Sequence, residues 1–225
     1  VSDEASETWP VGPLNRIRRG DRADYDRDAV NAVLDEGLTA HVGFVDGDRP
    51  VVVPMFYGRI HDTLYLHGSN GTRIARKLGK GAPVCLTVTL LDGLVVARSA
   101  FHMSANFRSV VLHGRADLVT DASEASRALA AITDHAFPGR WAEVRPMLEK
   151  ELRATAVLRV TVEAASLKHR NAPPKDDEAD MALPIWAGVV SLDTRATAAT
   201  DETCPPDVPL PPSVEAMLKR RDAGL

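Results

Sequence analysis

Hydrophobic positions along this chain change period several times, and each change marks an element. In 26–37 (DRDAVNAVLDEG) Val30, Val33 and Leu34 fall at helical spacing, the early aspartates suit the positive end of a helix dipole, and Gly37 reads as a left-handed terminator. From 38 to 45 the period drops to two. Leu38, Ala40, Val42 and Phe44 share one face, Asp46-Gly47-Asp48 turns the chain, and 50–58 (PVVVPMFYG) returns as the second strand of a hairpin. A third strand, 63–68, follows the His61-Asp62 turn, and Pro54, which cannot donate to a ladder, marks an irregularity or a free edge in the second strand. The loop 69–72 (SNGT) leads into a short basic helix over 73–81 that ends in glycines. Further strands are expected at 82–91, 93–103 and 108–120, then a helix at 122–136 and one more long strand at 154–170.

Many strands joined by short connections, with helices at the start, middle and flank, argue against the strand-helix alternation of a parallel sheet. The expected fold class is mainly β with flanking helices (α+β), an antiparallel barrel. Residues 1–20 carry scattered Pro, Gly and charge, and 193–225 is Pro-rich with a short helix at its end, so both read as weakly ordered arms around a folded domain over 21–192.

The balance of 27 basic against 31 acidic residues gives a net charge of -4, so no global positive field drives nucleic-acid binding, and aromatics at 5% are too few for a stacking platform. No stretch approaches the ~20 apolar residues of a membrane span, and the start of the sequence lacks the basic and apolar regions of an export signal. Cys85, in an apolar strand, and Cys204, in the Pro-rich tail, do not make a disulfide framework, so a reducing cytoplasm is the expected location. Cys85 reads as a core filler rather than a nucleophile. His102 and His113 lie on successive strands without the Cys or carboxylate pattern of a metal site, and no nucleophile elbow, paired catalytic carboxylates, dinucleotide fingerprint or P-loop is present.

The chemistry-bearing segment is 64–78 (LYLHGSNGTRIARKL), where a strand passes through small polar residues into a helix near Thr72 or Arg73. Such a start is either a seat for a phosphate, with the Thr72 hydroxyl and Arg73 adding hydrogen bonds, or an ordinary capped loop whose cations are solvated. The acidic run at 176–180 is either a solvated loop or a cover over a nearby site.

Four segments in order, VVVPMFY (51–57), LYLHGSNGTR (64–73), ANFRSVVLHGRA (105–116) and LPIWAGVVSL (183–192), resemble the FMN-binding split-barrel superfamily of pyridoxamine 5'-phosphate oxidase, in the flavin-nucleotide-binding branch that includes the nitroimidazole-resistance proteins. The resemblance implies a six-stranded split β-barrel and a homodimer that shares its flavin sites. It implies that Val53, Pro54 and Met55 face the isoalloxazine, that Gly68, Ser69, Thr72 and Arg73 form the phosphate loop with Lys77 as the further cation, and that Arg108 and Ser109 occupy the Arg-Gln positions of the oxidase strand. Trp186 matches the tryptophan that reaches the flavin from the neighbouring subunit, and His67 stands where the resistance proteins keep a histidine beside the cofactor, making it the candidate catalytic group. The implied activity is a flavin-dependent oxidoreductase on a small molecule, of nitro or quinone type. The alternative is a non-catalytic carrier or sensor of flavin, deazaflavin or haem. The oxidase's C-terminal Arg-x-His substrate clamp has no counterpart in 211–225, so pyridoxamine phosphate oxidation is not expected.

Overall fold

The computed structural model describes residues 7–222; residues 1–6 of the expected N-terminal arm and 223–225 of the tail lie outside the described residues. The strands are β1 (Ala23–Asp24), β2 (Thr39–Asp46), β3 (Arg49–Ile60), β4 (Thr63–Ser69), β5 (Lys80–Val96), β6 (Ser104–Leu118), β7 (Thr155–Arg170) and β8 (Gly188–Ser191). The helices are α1 (Arg27–Glu36), α2 (Arg73–Leu78), α3 (Ala122–Ala136), α4 (Arg140–Glu143), α5 (Glu149–Ala154) and α6 (Pro212–Asp222). Strand order is β1-β7-β4-β3-β2-β5-β6, with β8 on β5 and a further pairing between β7 and β6. That last pairing closes a ring of six strands, the hydrogen-bonding pattern of the expected barrel. No helix among the described residues is long and apolar enough to cross a membrane.

The chain forms two compact units. One takes the described residues up to Gly37, with Thr87–Val111 and Ala164–Asp193; the other takes Leu38–Leu86, Leu112–Glu163 and the residues from Thr194.

The second unit is built on the β2–β3 hairpin, whose register runs from Thr39↔Phe56 to Asp46↔Arg49. Its two-residue turn needs a left-handed residue, and Gly47 supplies φ 67°. Ala40, Val42 and Phe44 are buried, the face that the alternation predicts. β4 pairs β3 only over Tyr57–Ile60, so Pro54, opposite His41, lies outside that run and its missing N–H costs no ladder bond there. Helix α3 starts on Asp121, which accepts from Glu124 N–H at 2.7 Å, and packs Ala128, Leu129 and Ile132 with Tyr65 and Val157 into one apolar cluster. It comes so close to β3 that a Cβ on Gly58 would stand 2.5 Å from Ile132 N. Helix α6 is fastened by the buried Ser213, whose N–H donates to Glu143 Oε1 at 3.0 Å and whose hydroxyl donates to Glu143 Oε2. The sequence pattern predicts no element between 137 and 153, where α4 and α5 form.

In the first unit α1 matches its predicted span, with Asp26 accepting from Ala29 N–H at 2.8 Å and Val30, Val33 and Leu34 buried. Gly37, however, is not left-handed: its φ is -72° and ψ 140°, because the chain leaves the helix directly in extended form. Within the span read as an N-terminal arm, Trp9 is buried under the Arg27 guanidinium, 3.8 Å from its ring centroid. Buried Asn15 donates to Ala165 O at 2.8 Å and Pro10 O at 3.0 Å. The strands expected at 82–91 and 93–103 are also corrected. β5 runs unbroken through Asp92 and Gly93 to Val96, because β8 pairs across that point with Gly93 opposite Ser191, and 100–102 is a 3₁₀ turn. The acidic loop is anchored rather than solvated at Asp176, which accepts from the Arg98 N–H and guanidinium at 2.8 Å each. Burial opposes the charge on Asp176, and these bonds outweigh it, holding the carboxyl below the usual range.

Candidate functional site

In the second unit Val53, Pro54, Met55, Phe56, His67, Gly68, Thr72, Arg73 and Ile74 line one cleft of about 470 Å³. Two strands and a short helix place them. β3 brings its stretch around Pro54 where β4 does not pair it, β4 ends at His67 and Gly68, and the 69–72 loop folds back so that α2 presents Arg73. The walls from β3 are apolar and the α2 end carries charge. A cleft of this size with one polar end suits a flat ring system bearing an anionic arm.

Each polar group at that end has a defined state. The Thr72 hydroxyl donates its single hydrogen to Ser69 O at 2.8 Å and accepts from Ala75 N–H at 3.3 Å. It is the N-cap of α2, and in this arrangement it has no hydrogen left for an anion, contrary to the expectation for Thr72. Ser69 contributes its carbonyl to that turn. Arg73 Nε lies 3.5 Å from Asp46 Oδ2, and Lys77 Nζ 2.7 Å from Asp46 Oδ1. The Lys77 ammonium, followed by the Arg73 and Arg76 charges, holds the Asp46 carboxyl below its ordinary range. The sequence shows Asp46 only as a turn residue, because its contact with the cations exists only once the hairpin and α2 are folded together. His67 is exposed at its edge, yet the apolar surroundings desolvate its ring and lower its pKa below the usual histidine value. It is therefore a neutral imidazole at pH 7, able to donate or accept a hydrogen bond.

The remaining candidates stand in the first unit. Arg108 is clasped by two carboxylates: it donates to Asp92 at 2.7 and 3.2 Å and to Glu36 at 3.0 Å, with a further contact from Nη1 to Glu36 Oε2. The Asp92 and Glu36 carboxylates push its pKa up, and its charge is satisfied within that unit. Ser109 Oγ shares a hydrogen bond of 2.7 Å with Thr89 Oγ1. Trp186 is 64% exposed, with its ring folded over Gly188, and Ile185, Val189 and Val190 beside it in sequence are exposed too. It is not core of this chain. His102 Nε2 lies 3.2 Å from Asp177 Oδ2, and no group of metal-ligating side chains occurs among the described residues. Cys85, in the second unit, is half-buried, and burial raises its pKa, which leaves an inert thiol.

The chain matches the family model described as pyridoxamine 5'-phosphate oxidase over residues 26–169. No curated protein sequence matches it. Among solved structures it is similar to the flavocytochrome Anf3 from Azotobacter vinelandii, with 40% identity over 93% of this chain and 98% of that one and a TM-score of 0.85. It is also similar to the FAD and heme binding protein from Mycobacterium smegmatis, with 39% identity over 88% and 97% of the two chains and a TM-score of 0.83. A putative 5-nitroimidazole antibiotic resistance protein from Bacteroides thetaiotaomicron, 24% identical over 65% of this chain and 85% of that one, shares the fold at a TM-score of 0.56. By the family match and the relatives near 40% identity, this chain belongs to the pyridoxamine 5'-phosphate oxidase family, in its flavin-binding split-barrel form.

Proposed function

We propose that this protein is a flavin-dependent redox protein that also binds haem, a flavocytochrome rather than a pyridoxamine phosphate oxidase. The observation that carries the flavin is the cleft in which Val53, Pro54, Met55, His67, Gly68 and Arg73 converge. Its residues fit the group. Apolar β3 positions accept a ring face, and Arg73 with Lys77 supplies positive charge at one end, so the phosphate arm of a flavin lies toward 69–73. The flavin is FAD in this reading, where the family resemblance had implied FMN, since a relative at 39% identity is described as binding FAD and heme. The same relatives support haem over deazaflavin, and His102 and His169, each lining a cleft of the first unit, are imidazoles of the class that ligates haem iron.

A bound flavin supplies electron or hydride transfer at its ring. The chain's own contribution is binding and orientation. Val53 and Met55, half-buried on alternate β3 positions, exclude water from one side of the cleft. Arg73 gives up its contact with Asp46 to a phosphate, and neutral His67 offers a hydrogen bond without adding charge. The protein is expected to act as a homodimer, with a second copy covering the exposed Trp186 segment and sharing the flavin site. The reaction is electron transfer to or from a small acceptor, of quinone or nitro type if turnover occurs. Reduction of the holo-protein by NADH or NADPH, followed by reoxidation with a quinone, tests it: cycling supports an enzyme, and reduction without turnover supports a carrier.

A further inference from the structure

The first unit holds positive charge that its own carboxylates do not compensate. Two clefts of about 540 and 500 Å³ share Arg19, Arg22, Arg170 and Lys175 in their linings. Arg19 is neutralised by Asp21 at 3.0 Å. Of the other acidic groups of the linings, Asp176 pairs with Arg98, while Asp177, 3.2 Å from His102 Nε2, leaves one exposed negative charge against the three cations. Among the described residues no carboxylate pairs with Arg22, Arg170 or Lys175.

Arg170 is nevertheless held in place. Its Nη1 donates to Asn106 Oδ1 and to Ala172 O at 2.7 Å, and its Nη2 donates to Pro173 O at 2.8 Å. Asn106 is 5% exposed, and the same Oδ1 accepts from Ala172 N–H at 3.1 Å, which fixes the amide that fixes the guanidinium. All of these acceptors are neutral, so they orient the group without cancelling its charge. Arg22 lines both clefts with Arg170, and burial followed by the Arg22 charge lowers the pKa of Arg170. Phe101, 89% exposed, lines one cleft beside them, and Pro173 and Pro174 line the other. An oriented arginine with a second cation beside it and flat apolar surface nearby is the arrangement that receives a planar ligand through its acidic groups.

We propose that Arg22, Arg170 and Lys175 form an anion site for a ligand carrying two acidic groups. Two sources have that chemistry: the paired propionates of haem and the diphosphate of FAD, in which case the FAD arm lies here rather than at 69–73. The site itself follows from the charge arrangement, and only the choice of these two sources rests on the functional reading above.

The test uses the full chain and an Arg22→Gln/Lys175→Gln variant, which leaves the Arg170 network intact. Hemin is titrated by its Soret band, hemin dimethyl ester as the probe without free carboxylates, and FAD and FMN by flavin fluorescence. The variant is expected to lose about tenfold or more in affinity for hemin or for FAD, with FMN and the dimethyl ester unchanged. Loss confined to hemin assigns the propionates, and loss confined to FAD assigns the diphosphate. Unchanged affinity for both, equal losses for hemin and its ester, equal losses for FAD and FMN, or a wild-type chain that takes up neither hemin nor FAD overturns the site. A wild-type chain that binds hemin but no flavin removes the flavin reading and leaves the hemin comparison to decide this one.

Discussion

At the scale of single residues, the cleft in the second unit is governed by a competition for Arg73. Asp46 holds both Arg73 and Lys77, so a phosphate must displace a carboxylate already in place. Arg73→Ala is expected to weaken flavin affinity by about tenfold, near the lower end of the ~1.5–3 kcal/mol of a charge-assisted contact because its side chain is 59% exposed. Asp46→Asn is expected to move affinity the other way, and paired fluorescence titrations read both signs. His67 gives a pH signature. Its folded pKa is depressed, so the unfolded chain takes up that proton more readily, and the stability it protects is present above about pH 6.5 and lost as pH falls below it. Urea midpoints between pH 7.5 and 5 should fall less steeply in His67→Gln than in the wild type; equal slopes would assign the fall to other groups. Val53, Pro54, Met55 and His67, which line the cleft with Arg73, were named through the family resemblance, and the strand-to-helix junction at Arg73 was legible in the sequence itself. The states of Thr72 and Asp46 were not, since a hydroxyl's single hydrogen and a cross-hairpin ion pair are settled only once the backbone is folded.

At the scale of elements, the contact between α3 and β3 is the one with least slack. Gly58→Ala puts a methyl group against the backbone of Ala131 and Ile132 and is expected to cost ~1–3 kcal/mol, seen as a lower melting temperature. Gly71→Ala, where a Cβ meets nothing within 4 Å, serves as the control and should stay within about 0.5 kcal/mol. The hairpin, α1 and α3 were readable because their periodicity is strong and their caps are local. The continuity of β5 was not. Asp92-Gly93 carries a turn signal, and the pairing of β8, almost a hundred residues later in sequence, overrides it. Gly37 shows the same limit at a helix end, where a glycine that permits a left-handed cap is used in extended form.

At the scale of the whole molecule, one expectation follows the family and one separates this protein from the enzyme that names it. Sedimentation at micromolar concentration should give a dimer, because Trp186, Ile185, Val189 and Val190 form an exposed apolar run that a second copy would bury; a monodisperse monomer that still binds flavin contradicts a shared site. Oxygen consumption with pyridoxamine 5'-phosphate should be negligible, since residues 211–225 carry no Arg-x-His stretch and their helix α6 is fastened through Ser213 to Glu143. The measurement closest to the central claim is the visible spectrum of the full chain after mixing with FAD and gel filtration. The account predicts flavin bands that elute with the protein and are largely lost in Arg73→Ala at the same concentrations, whereas flavin that elutes free of the wild-type chain would contradict it.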